Sequence, residues 1–198
     1  VDFPDGLGVW IGAHEQIIVQ IHYNLVDLMT LGQPDSTSLR LRYEAQVDTV
    51  AHVALPDPFL ESLFQGAGVE SLPAGDEAYK YVWELSAREV LWRTNSLNAN
   101  DYDSFKLWAV LPHMHRRGRK MSLKILRGDG PKTCAADVDD WDFDWQLVYF
   151  YDAPIEVAAD DVFRVSCTFD TSDATSDVLP GWGTQYEMCL MGVIVSVD

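Results

Sequence analysis

Two histidines two residues apart, His113 and His115, are the residues of this chain whose types and spacing most directly suggest chemistry. They stand in the run Leu111-Pro112-His113-Met114-His115, at the end of an apolar alternation that predicts a strand over 105–115. Residues i and i+2 of a strand lie on one face, about 6.6 Å apart along the chain, so two imidazoles can converge on one metal ion. From spacing alone, two surface histidines are an equally good interpretation.

A metal ion at this pair needs a third ligand, and Met188 is one candidate, beside His22, His52 and several carboxylates. A strand predicted over 187–197 points Met188 and Cys189 to opposite faces. One thioether with two imidazoles favours copper, Cu(I) in particular, over zinc or magnesium. The alternative is that Met188 is ordinary packing.

The chain has three cysteines, Cys134, Cys167 and Cys189, and no CxxC pattern. In the predicted strands, Cys167 and Cys189 each share a face with apolar residues, so both point into a core. The two could form a disulfide across a sandwich or between neighbouring strands. Cys134 has no evident partner.

Period-two alternation dominates the sequence and predicts many short strands separated by Gly- and Pro-containing turns. This pattern predicts an all-β fold, an antiparallel jelly-roll-like β-sandwich. One helix is predicted over 57–65, with Pro58 in its first turn. The predicted strands span residues 17–25, 38–47, 79–85, 105–115, 120–126, 146–151, 161–169 and 187–197.

Composition and charge limit the classes of function. The 198 residues carry a net charge of −17, which makes nucleic acid and anionic lipid poor partners. No run of 18 apolar residues occurs, so no membrane span is predicted. The chain opens at Val1 without a signal-like run, and we expect a mature or trimmed chain. The pattern changes near 48–58, where we predict a boundary between domains 1–50 and 51–198.

Several segments resemble the copper type II, ascorbate-dependent monooxygenase family of dopamine β-hydroxylase and peptidylglycine hydroxylating monooxygenase, and their order along the chain matches as well. The run at 113–120, HMHRRGRK, is similar to the family's HxHxxGRK segment, and Glu187-Met188-Cys189 is similar to its EMC segment. Residues 166–169 resemble an SCTY-type strand, and 21–24 and 35–41 resemble the VHYxN and DSSGIRL segments. The run at 141–146, WDFDWQ, looks most like bacterial members.

The resemblance implies an enzyme with two coppers, in which the oxygen-binding copper sits on two histidines and a methionine. Here these ligands are His113, His115 and Met188. The second copper takes three histidines, of which His22 matches the last, as a remnant. A disulfide between Cys167 and Cys189 is also implied. Such an enzyme hydroxylates a C–H bond of a small-molecule substrate with O2 and ascorbate or another reductant.

The sequence departs from the family because it contains no His-His pair, which supplies the other ligands of the second copper. Residues 1–50 therefore resemble only the last strands of an incomplete N-terminal copper domain, and 51–198 resemble the whole C-terminal catalytic-copper domain. We expect a missing segment, a partner chain or the C-terminal domain itself to cover residues 1–50.

Two functions remain open at this point. One is a copper monooxygenase that is active once the missing ligands are supplied. The other is a non-catalytic copper-binding or structural subunit of a larger secreted assembly. The resemblance implies a secreted, periplasmic or cell-surface location. The family's peptide-binding residues are replaced by Leu111, Leu190 and Gly192, which makes peptidylglycine a poor substrate candidate.

Overall fold

Two β-sheets and two short helices make up the regular structure in the computed structural model, which describes residues 2–19, 21, 36–66, 68–94, 96–128 and 130–197. The helices are Pro58–Glu61 (α1) and Ala87–Trp92 (α2), with 3₁₀ turns at Ser62–Phe64 and Ala99–Asp101. The strands are Leu7–Val9 (β1), Thr49–Ala54 (β2), Tyr79–Ser86 (β3), Ser104–His113 (β4), Gly118–Leu126 (β5), Thr133–Val138 (β6), Tyr149–Ala158 (β7), Val162–Phe169 (β8) and Leu190–Ser196 (β9).

The strands form a five-stranded sheet in the order β1-β2-β9-β4-β7 and a four-stranded sheet in the order β3-β8-β5-β6. The strand pairings are antiparallel except that of β1 with β2. The predicted all-β sandwich is therefore confirmed. Among the residues that the structure describes, no helix has the length and apolar character needed to cross a bilayer.

The core lies between the two sheets and is built from the inward-facing side chains of their strands. Its largest fully buried members come from both sheets, as period-two alternation requires: Phe105, Leu107, Met114, Met121, Leu123, Ile125, Phe163, Phe169 and Met191. A disulfide between Cys167 and Cys189 crosses this core from β8 to the residue before β9. Of the two pairings that the sequence left open, the structure has the one across the sandwich.

The predicted strands of the C-terminal part agree with the structure in position, with shifted ends. The prediction over 146–151 overlaps only the first residues of β7, which continues to Ala158. The helix predicted over 57–65 is present as α1 and the 3₁₀ turn that follows it. Asp57 caps α1 by accepting a hydrogen bond from the Leu60 N–H at 3.1 Å, and Pro58 begins the helix.

The strand predicted over 38–47 was wrong. These residues form no strand, and they are exposed. Alternation can supply an apolar face, but an extended segment also needs a neighbouring strand to satisfy its backbone, and among the described residues none pairs with it. The strand predicted over 17–25 lies mostly outside the described residues, and residues 17–19 and 21 belong to no strand.

Candidate metal centre

The two histidines lie where β4 ends, on the outer face of the five-stranded sheet. His113 is the last residue of β4 and pairs with Leu190 of β9. Met114 between them is fully buried in the core. Because successive residues of an extended chain point to opposite sides, His113 and His115 point away from the core together. His113 is half-buried and His115 is buried.

The two imidazole rings are close and oriented by hydrogen bonds at Nδ1. Their centroids are 5.2 Å apart and the rings are perpendicular. Nδ1 of His113 bonds to Oε1 of Gln146, and Nδ1 of His115 bonds to the carbonyl of Tyr186 at 3.0 Å. The Gln146 amide is itself oriented, since its Nε2 donates to the carbonyl of Phe143 at 2.5 Å. Because both partners are acceptor oxygens, each ring donates from Nδ1, and in the neutral form of the ring the lone pair is then on Nε2.

Met188 lies on the same side of the sheet as the histidines. Cys189 and Met191 point into the core, whereas Met188 and Leu190 belong to a separate buried cluster with Leu60. The β4–β9 ladder ends where His113 pairs with Leu190, the residue that packs with Met188 in this cluster. The bond from the His115 ring to the carbonyl of Tyr186 also holds this imidazole against the chain segment that carries Met188. The structure thus brings together the two chain segments that carry the three predicted ligands.

The carboxylate of Glu187 joins these two segments. Its Oε2 accepts from the His115 N–H at 2.8 Å, and its Oε1 accepts from the Arg117 N–H at 2.7 Å. The residue is fully buried. Burial raises the pKa of this carboxyl to about 7, although its backbone N–H donors act in the opposite direction. The type and spacing of Glu187 alone predict no role for it; its place beside Met188 in the EMC segment is the available signal.

The connection between β6 and β7, residues 139–148, covers the histidines. Nε1 of Trp141 donates to the carbonyl of His115 at 3.2 Å, and the Phe143 ring meets the His115 ring edge-on at 6.3 Å between centroids. Arg116 places its guanidinium 5.7 Å from the Phe143 centroid. The run at 141–146 carries part of the family resemblance, but nothing in its pattern predicts contact with the end of β4.

The remaining predicted ligands do not join this group. His22 lies outside the described residues, so its relation to the others is not part of the structure. His52 is on β2 and hydrogen-bonds through Nδ1 to Oγ of Ser96 at 2.8 Å. In the described part of the chain, no three His, Cys, Asp or Glu side chains group as metal ligands. Methionine is not among these residue types, so the set of His113, His115 and Met188 stays a prediction.

Residues 94–194 match the family described as copper type II ascorbate-dependent monooxygenase, C-terminal domain. The chain belongs to this family. The matched part contains both histidines, Met188 and both cysteines of the disulfide.

Similar proteins cover nearly the whole chain but are much longer. DBH-like monooxygenase protein 1 of Homo sapiens is 25% identical over 192 residues, which are 95% of this chain and 30% of that protein. The protein of the same name from Gallus gallus gives the same identity and coverage. Dopamine beta-hydroxylase of Canis lupus familiaris is 23% identical over 192 residues, 95% of this chain and 29% of that protein. The chain thus spans less than a third of the length of these relatives.

Proposed function

We propose that His113, His115 and Met188 bind one copper ion, and that this domain is the oxygen-activating part of a monooxygenase that hydroxylates C–H bonds. The observation that supports the proposal is the contact between the two segments: His113 pairs with Leu190 at the end of the β4–β9 ladder, and the His115 ring bonds to the carbonyl of Tyr186. Family membership supports the same assignment.

The donor atoms fit copper. Two neutral imidazoles with Nε2 lone pairs and one thioether form a soft set that suits Cu(I) and not magnesium or calcium. Gln146 and the Tyr186 carbonyl hold the Nδ1 protons, which fixes the tautomer that a ligand histidine requires. When bound, copper supplies O2 binding and one-electron transfer, which no side chain here provides. The chain's own contribution is ligand orientation and a covering segment at 139–148.

A complete catalytic cycle needs parts beyond these 198 residues. His22 is the one residue that matches a second-copper ligand, so the other two must come from elsewhere. A partner chain or segment would also cover the exposed side chains of residues 2–19, 21 and 36–50. Ascorbate or another reductant supplies the electrons, and the substrate is a small molecule. We place the protein in a secreted, periplasmic or cell-surface compartment, which the Cys167–Cys189 disulfide supports because such bonds persist in oxidising surroundings.

Copper titration tests the proposal. Protein carrying Cys134→Ala, which removes an exposed thiol that could bind Cu(I) adventitiously, should take up one Cu(I) per chain. His113→Ala and Met188→Ala in the same background should lose most of the affinity, whereas His52→Ala should not. Unchanged binding in Met188→Ala would reject the assignment of the third ligand.

The second candidate function is a non-catalytic copper-binding or structural subunit, and the absence of a His-His pair from the sequence favours it. Oxygen consumption separates the two. With the missing copper domain supplied in trans, an oxygenase should consume O2 only when reductant and a C–H substrate are both present. Copper binding without such coupled consumption would favour the subunit.

A further inference from the structure

The geometry points to Glu187 as a positioning residue that fixes Met188 relative to the two histidines. We propose this role on the basis of the copper site proposed above, which it deepens by naming the group that sets the spacing of the ligands. Glu187 would not bind copper itself, since both of its carboxylate oxygens are already engaged by backbone donors.

The contacts of Glu187 connect parts of the chain that are far apart in sequence. Its two carboxylate oxygens hold the N–H groups of residues 72 and 70 positions away, one of which belongs to a proposed ligand, His115. The next residue along the chain is another proposed ligand, Met188. Glu187 is thus one hydrogen bond from one ligand and one peptide bond from the other.

The backbone around Glu187 is itself held, so the carboxylate acts from a fixed position. The Glu187 N–H donates to the carbonyl of Leu179 at 3.1 Å, and its carbonyl accepts from Gly181 N–H at 3.2 Å. The preceding residue, Tyr186, accepts from the His115 ring. Residues 186 and 187 therefore hold His115 at both its ring and its backbone, and a shift of this short segment would move both ligands together.

Glu187→Gln keeps the size of the side chain but removes one of its two acceptor oxygens. An amide has one acceptor oxygen, so its NH2 group must face one of the two N–H donors, which leaves that buried donor unsatisfied. The His115–Arg117 turn should then shift relative to Met188. Outer-shell partners of metal ligands typically change metal affinity by about 10- to 100-fold when altered.

Asp161 offers a matched control at the other end of the sandwich. It is a buried carboxylate whose Oδ2 accepts from the Ala158 N–H at 3.0 Å. Ala158 pairs with Ser104, the first residue of β4, whereas His113 is the last. Asp161→Asn keeps an oxygen that can accept this hydrogen bond but neutralises a buried carboxylate, which also lies 3.9 Å from Nε of Arg127. The change is on the same strand pair and far from the proposed ligands.

The experiment measures Cu(I) affinity by competition with bicinchoninate, in the Cys134→Ala background, for the parent protein, Glu187→Gln, Asp161→Asn and Met188→Ala. We expect about 10- to 100-fold weaker binding in Glu187→Gln and a weakened copper–sulfur signal in X-ray absorption. Asp161→Asn, which likewise neutralises a buried carboxylate, should bind Cu(I) within about twofold of the parent. Hydrogen exchange of the copper-free protein should be faster at residues 113–118 in Glu187→Gln alone.

The outcomes separate the two proposals. If Met188→Ala loses affinity but Glu187→Gln binds like the parent, the copper site stands and the role of Glu187 is wrong. If the parent does not bind Cu(I), the copper site fails and the role of Glu187 fails with it. If Glu187→Gln does not fold, Glu187→Asp replaces it: its shorter side chain reaches only one N–H, and parent-like affinity would again overturn the inference.

Discussion

At the scale of single residues, Gly118 permits the tight packing of the turn that follows the histidines. A methyl group added at its Cα would lie 2.8 Å from Cε of Met114 and 2.8 Å from Cδ1 of Trp141. Met114 separates the two histidines, and Trp141 bonds to the carbonyl of His115. The absence of a side chain at this position therefore affects the geometry of the candidate site directly.

Gly118→Ala should destabilise the protein by about 1–3 kcal/mol, because the added methyl overpacks the space between buried Met114 and half-buried Trp141. Urea unfolding measures the loss. Lys120→Ala, an exposed position on the same strand, should change stability by less than about 0.5 kcal/mol. Equal stability of Gly118→Ala and the parent would show that the turn relaxes more easily than its packing indicates.

Asp57 is a buried carboxylate that is incompletely satisfied. Its Oδ1 accepts from the N–H groups of Leu60 at 3.1 Å and Cys189 at 3.4 Å, but Oδ2 has no hydrogen-bond partner among the described residues. Burial raises the pKa of this carboxyl from 3.8 to about 6, and the nearby charge of Glu61 acts in the same direction. The phenol of Tyr81 also faces it, and burial raises the pKa of that phenol.

Asp57→Asn should make the protein more stable at pH 7 and leave its stability unchanged below about pH 4. The folded protein holds the Asp57 proton more tightly than the unfolded chain, so the parent loses stability as pH rises from about 4 to about 6. Asparagine keeps the Oδ1 acceptor and cannot ionise. At about 1.4 kcal/mol per pKa unit, the gain at pH 7 is at most about 3 kcal/mol.

Urea unfolding of both proteins at several pH values checks this prediction. The difference between them isolates Asp57, because Glu187 and the other titrating groups are common to both. A stability difference that does not depend on pH would contradict the ionisation of Asp57 as its cause.

At the scale of elements, the Cys167–Cys189 disulfide ties the two sheets together beside the candidate site. It closes a separation of 22 residues and is fully buried. Nε1 of Trp83, on β3, donates to the carbonyl of Cys189 at 2.8 Å. Cys189, which follows Met188 and precedes β9, is therefore held to the opposite sheet by a covalent bond and by a hydrogen bond.

Replacing both cysteines by alanine should lower the free energy of unfolding by about 3 kcal/mol, since a loop of this length then regains its entropy in the unfolded chain. Chemical denaturation of the double variant measures the loss. Cys134→Ala, at an exposed free cysteine, should change stability by less than about 0.5 kcal/mol. A double variant as stable as the parent would contradict a structural role for the bond.

Most strands were predictable from alternation, and the errors have local causes. β4 contains a register shift between Leu107 and Ala109, so its core-facing residues change from odd to even positions along the strand. Strict alternation cannot indicate such a bulge. Helix α2 was not predicted although Ser86 and Glu89 form a capping box, because six residues are too few to show a helical period. The shared face of His113 and His115 was predicted because it depends only on their spacing of two.

At the scale of the whole molecule, the candidate site is assembled from three distant segments, 113–117, 141–146 and 186–188. Sequence spacing predicted the histidine pair. Alternation gave Met188 as one candidate ligand and Cys167–Cys189 as one possible disulfide, and the family resemblance implied both. The contacts of Gln146, Trp141 and Glu187 could not be predicted, because they depend on how the β6–β7 connection and the chain before β9 approach the end of β4. Pairing between distant segments is set by the fold and leaves no periodic signal in either one.

The N-terminal residues show the opposite limit. Their apolar alternation predicted strands, yet β1 alone of the described residues before position 49 joins a sheet. Side chains such as Trp10, Leu39 and Tyr43 are exposed. The alternation there predicts an apolar face that must pack against another part of a protein. Exposed apolar groups of this kind mark surfaces that other segments or chains cover.

X-ray absorption at the copper edge of Cu(I)-loaded protein tests the central claim most directly, with Cys134→Ala as the background. The proposed site predicts one copper per chain with two imidazole nitrogens and one sulfur, and loss of the sulfur alone in Met188→Ala. A copper ion without sulfur in the parent, or with sulfur retained in Met188→Ala, would contradict the assignment of His113, His115 and Met188 as its ligands.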